Sequence, residues 1–501
     1  MEADRLPIAI GVGQYSERVD DLTRAPHPVA MMAIAARAAA EDAGAPALLR
    51  EIDTVVAVNL LSWSYPDPAG LLAELVGAKP RRKIYTSLGG NTPQLQVNES
   101  AAGIAAGEVR LALIAGAEAM YSLRRAQRTG VPLPWPARGG PPEVVGETRW
   151  GAADVEVSHG AQMPTQIYPL FENALRAARR QSIPEQREFL GRFCARFAAV
   201  ARDNPYAWFR DGKSAEEIAT PSPVNRVIGF PYPKFMNAIM DVDQGAAVLL
   251  TSVATARRLG VPREKWVYLW GSGDATDHWF VGERVDFHSS PAIRIAGLEA
   301  LAQASVDSSR ITFFDLYSCF PCAPQIAAAM LGVPVDDPRP LTVTGGLPYA
   351  GGPGNNYSTH AIAAMVEKLR AQPGSLGLVS GVGWYITKNS VGIYGAEPPP
   401  SPRKRRPPEE YQVEIDAMPH PTVEAAPSGD ATVETYTVLH DREGEPEAAV
   451  VVGRLAGGAR FWAATPAERD LLEAMEREEF IGRRGRVRHD NTSARNTFDP
   501  A

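Results

Sequence analysis

The 501-residue chain is long enough for roughly three domains of about 150 residues each. Its 45% apolar and 22% charged content is that of a globular chain with a large core, and its three cysteines exclude a disulfide framework and fit a reducing cytoplasm. The net charge of −7 lies wholly in residues 411–501, which hold 10 Arg, no Lys and 17 acidic residues, so neither part offers the basic field that nucleic acid requires.

Nothing at the start has a signal-peptide layout, and no apolar run is long enough to span a bilayer. The expectation is a cytoplasmic protein with no membrane and no nucleic-acid partner. In chain order, residues 8–12 read as a buried strand and 28–43 as a helix with proline at its start and Gly44 past its end. Residues 52–58 read as a strand, 100–106 as a helix and 111–115 as a short buried strand. The layout recurs later, with an alanine-rich helix from Pro291 to about Ala304 and a strand over 311–317. Such self-similarity predicts two related α/β halves. Between them, 123–238 mixes aromatics, prolines and charges, with a helical stretch around 172–202, and reads as an inserted loop domain. The proline-dense segment 397–410 reads as a semi-rigid linker. Its run Arg403-Lys404-Arg405-Arg406 is a solvated charged stretch in the plainer reading and a targeting signal or phosphate grip in the alternative. Strands at 431–439, 448–452 and 460–463 then predict a small OB-like β domain.

Four segments in order resemble the thiolase superfamily. They are Gly89-Gly90-Asn91-Thr92-Pro93-Gln94 with the helix ending at Gly107, the strand end 114–122 (I-A-G-A-E-A-M-Y-S), the strand 243–250 (D-Q-G-A-A-V-L-L), and a set in the second half. That set is 316–320 (L-Y-S-C-F), 345–354 (G-G-L-P-Y-A-G-G-P-G) and 380–383 (S-G-V-G), similar to the thiolase N-E-A-F or H-D-A-F, G-H-P and C-x-G motifs. The resemblance covers about residues 5–396. It implies an α/β thiolase fold, five-layered, with N-terminal half 1–122 plus 239–265, loop domain 123–238, C-terminal half 266–396, linker 397–410 and OB-like domain 411–501. The matching branch is that of acetyl-CoA acetyltransferase and sterol-carrier-type thiolases, and it implies an acyl-CoA ligand and a place in lipid metabolism.

Thiolases take an acyl group onto a cysteine at a helix N-terminus, where free N–H groups favour the thiolate. Here that position falls on Gly90, and no cysteine precedes residue 194. The Asn or His of the third motif corresponds to Tyr317, the G-H-P histidine to Gly352, and the second cysteine to Val379 or Ser380. The nucleophile is absent at every matched position. Backbone N–H groups at Gly90 and near Gly381 to Gly383 remain as an oxyanion hole. Asn91, Thr92, Tyr317, Tyr349 and His360 are the candidate catalytic side chains, with Gly90, Gly352, Ser380, Gly381 and Gly383 against the coenzyme A thioester. Ser318, Cys319, Asn355, Asn356 and Tyr357 stand beside them. A tyrosine with lowered pKa acts as acid or base. Thiolase-like aldol lyases of steroid side-chain degradation use tyrosines and need an OB-fold partner, so a retro-aldol lyase on acyl-CoA is one alternative. A non-catalytic acyl-CoA-binding or scaffold protein, with these polar residues serving only loop backbone, is the other.

The pair Cys319 and Cys322 reads as two small buried side chains rather than a redox couple. Gly11-Val-Gly13 reads as a tight turn after the first strand, since the third glycine of a dinucleotide loop is missing. The eight scattered histidines show no metal spacing, and no cofactor beyond the coenzyme A thioester is expected. A homodimer and a monomer are both compatible with the sequence.

Overall fold

The computed structural model describes residues 3–140 and 142–501. Strand β1 (Pro7–Ser16) is followed by helix α1 (Pro28–Asp42), β2 (Thr54–Ala57), α2 (Pro68–Val76), β3 (Arg82–Tyr85), α3 (Thr92–Ala106), β4 (Leu111–Ala119) and α4 (Met120–Thr129). Helices α5 (Asp154–Ser158), α6 (Pro164–Ala178), α7 (Ile183–Asp203) and α8 (Ala215–Ala219) follow, then the short strands β5 (Val227–Gly229) and β6 (Tyr232–Pro233). The chain returns through β7 (Asp243–Ser252), α9 (Val253–Arg258), β8 (Val267–Thr276), α10 (Pro291–Ala304), β9 (Phe313–Asp315), α11 (Cys322–Met330), α12 (Tyr357–Ala371), β10 (Leu376–Gly383) and β11 (Lys388–Gly395). Tyr317 therefore lies in the loop after a strand shorter than 311–317, since the Leu316 N–H leaves the sheet to donate to the Leu341 carbonyl.

Nine of these strands are ordered β3-β2-β4-β7-β1-β8-β11-β10-β9. The two halves meet where β1 pairs with β8 over only two residues, Ile8 with Tyr268 and Ala9 with Val267. Outward from that junction each half repeats one pattern, an antiparallel pair (β1–β7, β8–β11), a second antiparallel pair (β7–β4, β11–β10) and then a parallel neighbour (β4–β2, β10–β9). Helices α3 and α12 pack on each other and on strands of both halves, while α1 covers one half-sheet and α10 the other. Five layers result, as in the thiolase fold.

Gly11 and Gly13 lie inside β1 and not in a turn. A Cβ on Gly11 would sit 2.0 Å from the Ala39 carbonyl oxygen, and one on Gly13 would sit 2.1 Å from that of Ala35. The glycines let α1 approach the strand. In the second half, Gly271 and Gly273 of β8 meet the Ala300 and Ala296 carbonyls of α10 at 2.0 and 2.1 Å. One contact, glycine strand against alanine helix, is made twice.

After the core come α13 (Pro408–Asp416), β12 (Gly429–His440), β13 (Pro446–Leu455), β14 (Arg460–Ala464), α14 (Arg469–Arg477), β15 (Arg484–Asp490) and β16 (Arg495–Pro500). Strand β12 pairs with both β13 and β15, and β14 and β16 complete the ring. This is a closed five-stranded barrel. It joins the body through β5, where Gly229 pairs with Leu439, and through α6, where Asn173 donates to the Tyr436 carbonyl at 2.7 Å and Arg176 binds Glu479 at 2.8 Å. The region 123–238 thus carries two strands that its sequence pattern did not reveal.

The basic segment is partly engaged by the body, with Arg403, Lys404 and Arg406 exposed and Arg405 half-buried. Arg405 binds Glu99 at 2.9 Å and Asp274 at 2.5 Å, and Arg406 binds Glu299 at 2.8 Å. Asp274 is buried in β8, and an unpaired carboxylate there would be costly, so Arg405 is drawn in to meet it. From Pro408 the segment is already helical. Among the described residues no helix is long and apolar enough to cross a membrane.

Candidate functional site

The loop 86–91 leads into α3 with Gly90 one residue before the N-cap, Asn91. A Cβ built on Gly90 would lie 2.0 Å from the Tyr317 hydroxyl oxygen and 2.5 Å from its ring carbon Cζ. The space that any side chain at position 90 needs is therefore occupied by Tyr317. The tyrosine is fixed from behind. Its backbone N–H donates to Ser380 Oγ at 3.0 Å, and its ring meets Tyr357 edge-on with centroids 5.4 Å apart. Tyr357 in turn donates to Asp315 at 2.9 Å, and the Asp315 carboxylate also takes the N–H groups of Val343 and Thr344.

Tyr317 is only 6% exposed. Burial pushes its phenol well above the ordinary tyrosine range, with nearby Cys319 acting in the same direction. The hydroxyl is a proton donor at neutral pH and not a base, the reverse of the lowered pKa that acid–base exchange by this group requires.

The other candidates divide into two groups. Asn91, Ser380, Gly381 and Gly383 gather around Gly90. Cβ atoms on Gly381 and Gly383 would meet Asn91 Cα at 2.8 Å and Asn91 Oδ1 at 2.4 Å, and the Gly90 carbonyl lies 3.2 Å from the first. Ser358 donates to that carbonyl at 2.7 Å, while Asn355 accepts from the Gly89 N–H at 2.8 Å. Thr92 sits in the same turn, yet its hydroxyl donates to the Gly89 carbonyl at 2.8 Å as a local cap. Asn91 is buried, and its Oδ1 has no hydrogen-bond donor.

Tyr349, Gly352 and His360 belong elsewhere. Tyr349 turns toward Cys194 of α7, and Gly352 closes its loop by donating to the Ile239 carbonyl at 2.8 Å. His360 pairs with Gln14 of β1 at 2.8 Å and lines a void of about 10 Å³, the lower limit for one water. Burial lowers its pKa to about 3, so the ring is neutral. Cys319 and Cys322 are free and buried, and burial holds the Cys319 thiol protonated, at about 12. No group of acidic, His and Cys side chains suited to a metal occurs among the described residues.

Sequence reasoning missed Lys388. Its ammonium donates to the Leu88 carbonyl, next to Gly89, and the side chain lines a 390 Å³ cleft with Asn91, Thr92 and Ser390. Burial lowers its pKa to about 8. The available signal was a lone charged residue in the hairpin 376–396.

The solved structure of a monomeric SCP2-thiolase-like protein type 1 from Mycobacterium smegmatis superposes with a TM-score of 0.87, at 35% identity over all of both chains. The chain belongs to the SCP2-thiolase-like protein type 1 family. Residues 410–492 match the family model described as the thiolase-like protein type 1 additional C-terminal domain, so the barrel of this SCP2-thiolase-like protein is a family feature. Two more distant structures share its fold. An Ltp2-ChsH2(DUF35) aldolase is 18% identical with a TM-score of 0.62, covering 81% of this chain and 100% of its own. The Acat5 thiolase from Ascaris suum in complex with coenzyme A is 13% identical with a TM-score of 0.56, covering 78% and 99%. A search of curated proteins returned no match.

Proposed function

We propose that this thiolase-like protein binds an acyl-CoA thioester in a cytoplasmic lipid-metabolism setting without forming an acyl-enzyme. The observation that carries this reading is the Tyr317 hydroxyl in the space over Gly90. A tyrosine kept protonated by burial supplies a hydrogen bond to a thioester carbonyl at the place where thiolases supply a thiolate. The coenzyme A complex of the Ascaris thiolase supports the ligand class. The monomeric relative supports a single-copy state, as does the covered end of the β3 edge, where the Val145 N–H donates to the Tyr85 carbonyl at 2.8 Å and its carbonyl accepts from the Ser87 N–H at 3.0 Å. Calorimetry with acetyl-CoA tests it. We expect binding that weakens about tenfold in Tyr317→Phe, the loss of one well-placed hydrogen bond. Absence of binding by both coenzyme A and acetyl-CoA would overturn the reading in favour of a scaffold.

A retro-aldol reaction is the second reading, favoured by the same tyrosine and by the fold shared with a DUF35 aldolase. There Tyr317 would deliver its proton to the enolate of the departing acyl-CoA as the carbon–carbon bond breaks, and its phenolate would take the proton of the β-hydroxyl that becomes the product carbonyl. On a β-hydroxyacyl-CoA, Tyr317→Phe should then lower the rate by about 10²–10⁴. An unchanged rate sinks it.

A further inference from the structure

A second cavity lies further along α3, about 590 Å³ in volume and within the range of roughly 300–1,000 Å³ typical of small-molecule sites. Its floor is apolar, made by Ala101, Ala102, Ala105 and Ala106 of α3 with Leu269 and Trp270 of β8. The proline-rich segment forms its roof, with Pro399 and Pro402 leading into Arg403 and Lys404. The neutral polar groups at its base are already satisfied. Asn98 donates to Asp274 at 2.9 Å, and Gln303 accepts from the Ser272 N–H at 2.9 Å and donates to the Arg403 carbonyl at 3.3 Å.

The charges are one-sided. No carboxylate lines the cavity among the described residues, and Glu99 and Asp274 beside it are both bound by Arg405. Arg403 spends one N–H on the Ala302 carbonyl at 3.3 Å and keeps the rest of its guanidinium at the rim beside Lys404. An apolar floor under a cationic rim complements a ligand that is apolar at one end and anionic at the other.

We propose that this groove binds an amphipathic anion, an alkyl chain ending in a carboxylate or phosphate, with the chain on the alanines of α3 and on Trp270 and the head group on Arg403 and Lys404. Ala105 stands roughly 20 Å along the helix from Gly90 at 1.5 Å per residue, so the proposal is independent of the Tyr317 site. Because the roof leads directly into α13, occupancy would brace the connection between body and barrel.

Titration calorimetry on the full chain with decanoate, decyl phosphate, decanol and inorganic phosphate tests it. Either decyl anion should bind one to one, with the tighter of the two naming the head group, while decanol and phosphate bind at least tenfold more weakly. Arg403→Gln combined with Lys404→Gln should weaken the anions at least tenfold with the melting temperature unchanged. Ala105→Phe, which fills the floor, should abolish binding. Decanol matching decanoate, no binding by either anion, or both variants binding like the parent would overturn it.

Discussion

The Tyr317 hydroxyl reaches the space over Gly90 from the other half of the chain, so the two positions constrain each other. Gly90→Cys would force the buried phenol aside, and overpacking of that kind costs about 1–3 kcal/mol. Tyr317→Ala alone leaves a cavity, but in combination each change relieves the other. Denaturant unfolding of the two single variants and the double should return a coupling of about 1 kcal/mol or more in the stabilising direction, and additivity would show that the residues do not compete for one space. The absence of a cysteine at position 90 was legible in the sequence, whereas the filling of the space over Gly90 by a tyrosine 227 positions away was not, because only the fold brings the two together. The burial of His360 was likewise illegible, since the sequence beside a motif loop carries no mark of it. Its folded pKa of about 3 lies below the ordinary value of about 6.5. Between those values the unfolded chain binds more protons, so stability present above pH 6.5 is lost as pH falls. The groups lining its void are Gln14, Tyr206, Gln244 and Tyr357 among others, with no carboxylate among the described residues there to offset its charge. Melting curves from pH 7 to 4 should fall less steeply in His360→Asn than in the parent.

At the scale of elements, the repeat is written in glycines. The pairs Gly11 with Gly13 and Gly271 with Gly273 each open a strand to an alanine-faced helix, and G-x-G on a strand before such a helix was the signal available in the sequence. It reads as a turn because glycine is usually spent on backbone freedom, and close approach leaves no mark in one dimension. Gly273→Ala places its methyl 2.1 Å from the Ala296 carbonyl oxygen, a backbone atom held within a helix. Chemical denaturation should show a loss of about 1–3 kcal/mol, and a neutral change would mean that α10 does not need the close approach. The basic segment teaches the same lesson in reverse. Of four consecutive cations three are exposed, and only Arg405 is drawn in over buried Asp274.

Across the whole molecule, the strand and helix order of the core and the β character of the C-terminal region were legible, because hydrophobic periodicity and motif order carry them. The barrel's attachment was not. It depends on β5 and β6, two short strands in a region without period-2 patterning, and on single polar contacts such as Asn173 to Tyr436. The architecture keeps the two-half body, fills the space over Gly90 with Tyr317, and carries an acidic barrel on the loop region. The most direct test is thiolysis. The intact protein is incubated with acetoacetyl-CoA and coenzyme A while the thioester absorbance is followed. The account requires no turnover above the uncatalysed background and no acetyl group on the protein. Turnover at the rate of a cysteine thiolase, or an acetylated residue at the α3 N-terminus, would contradict it.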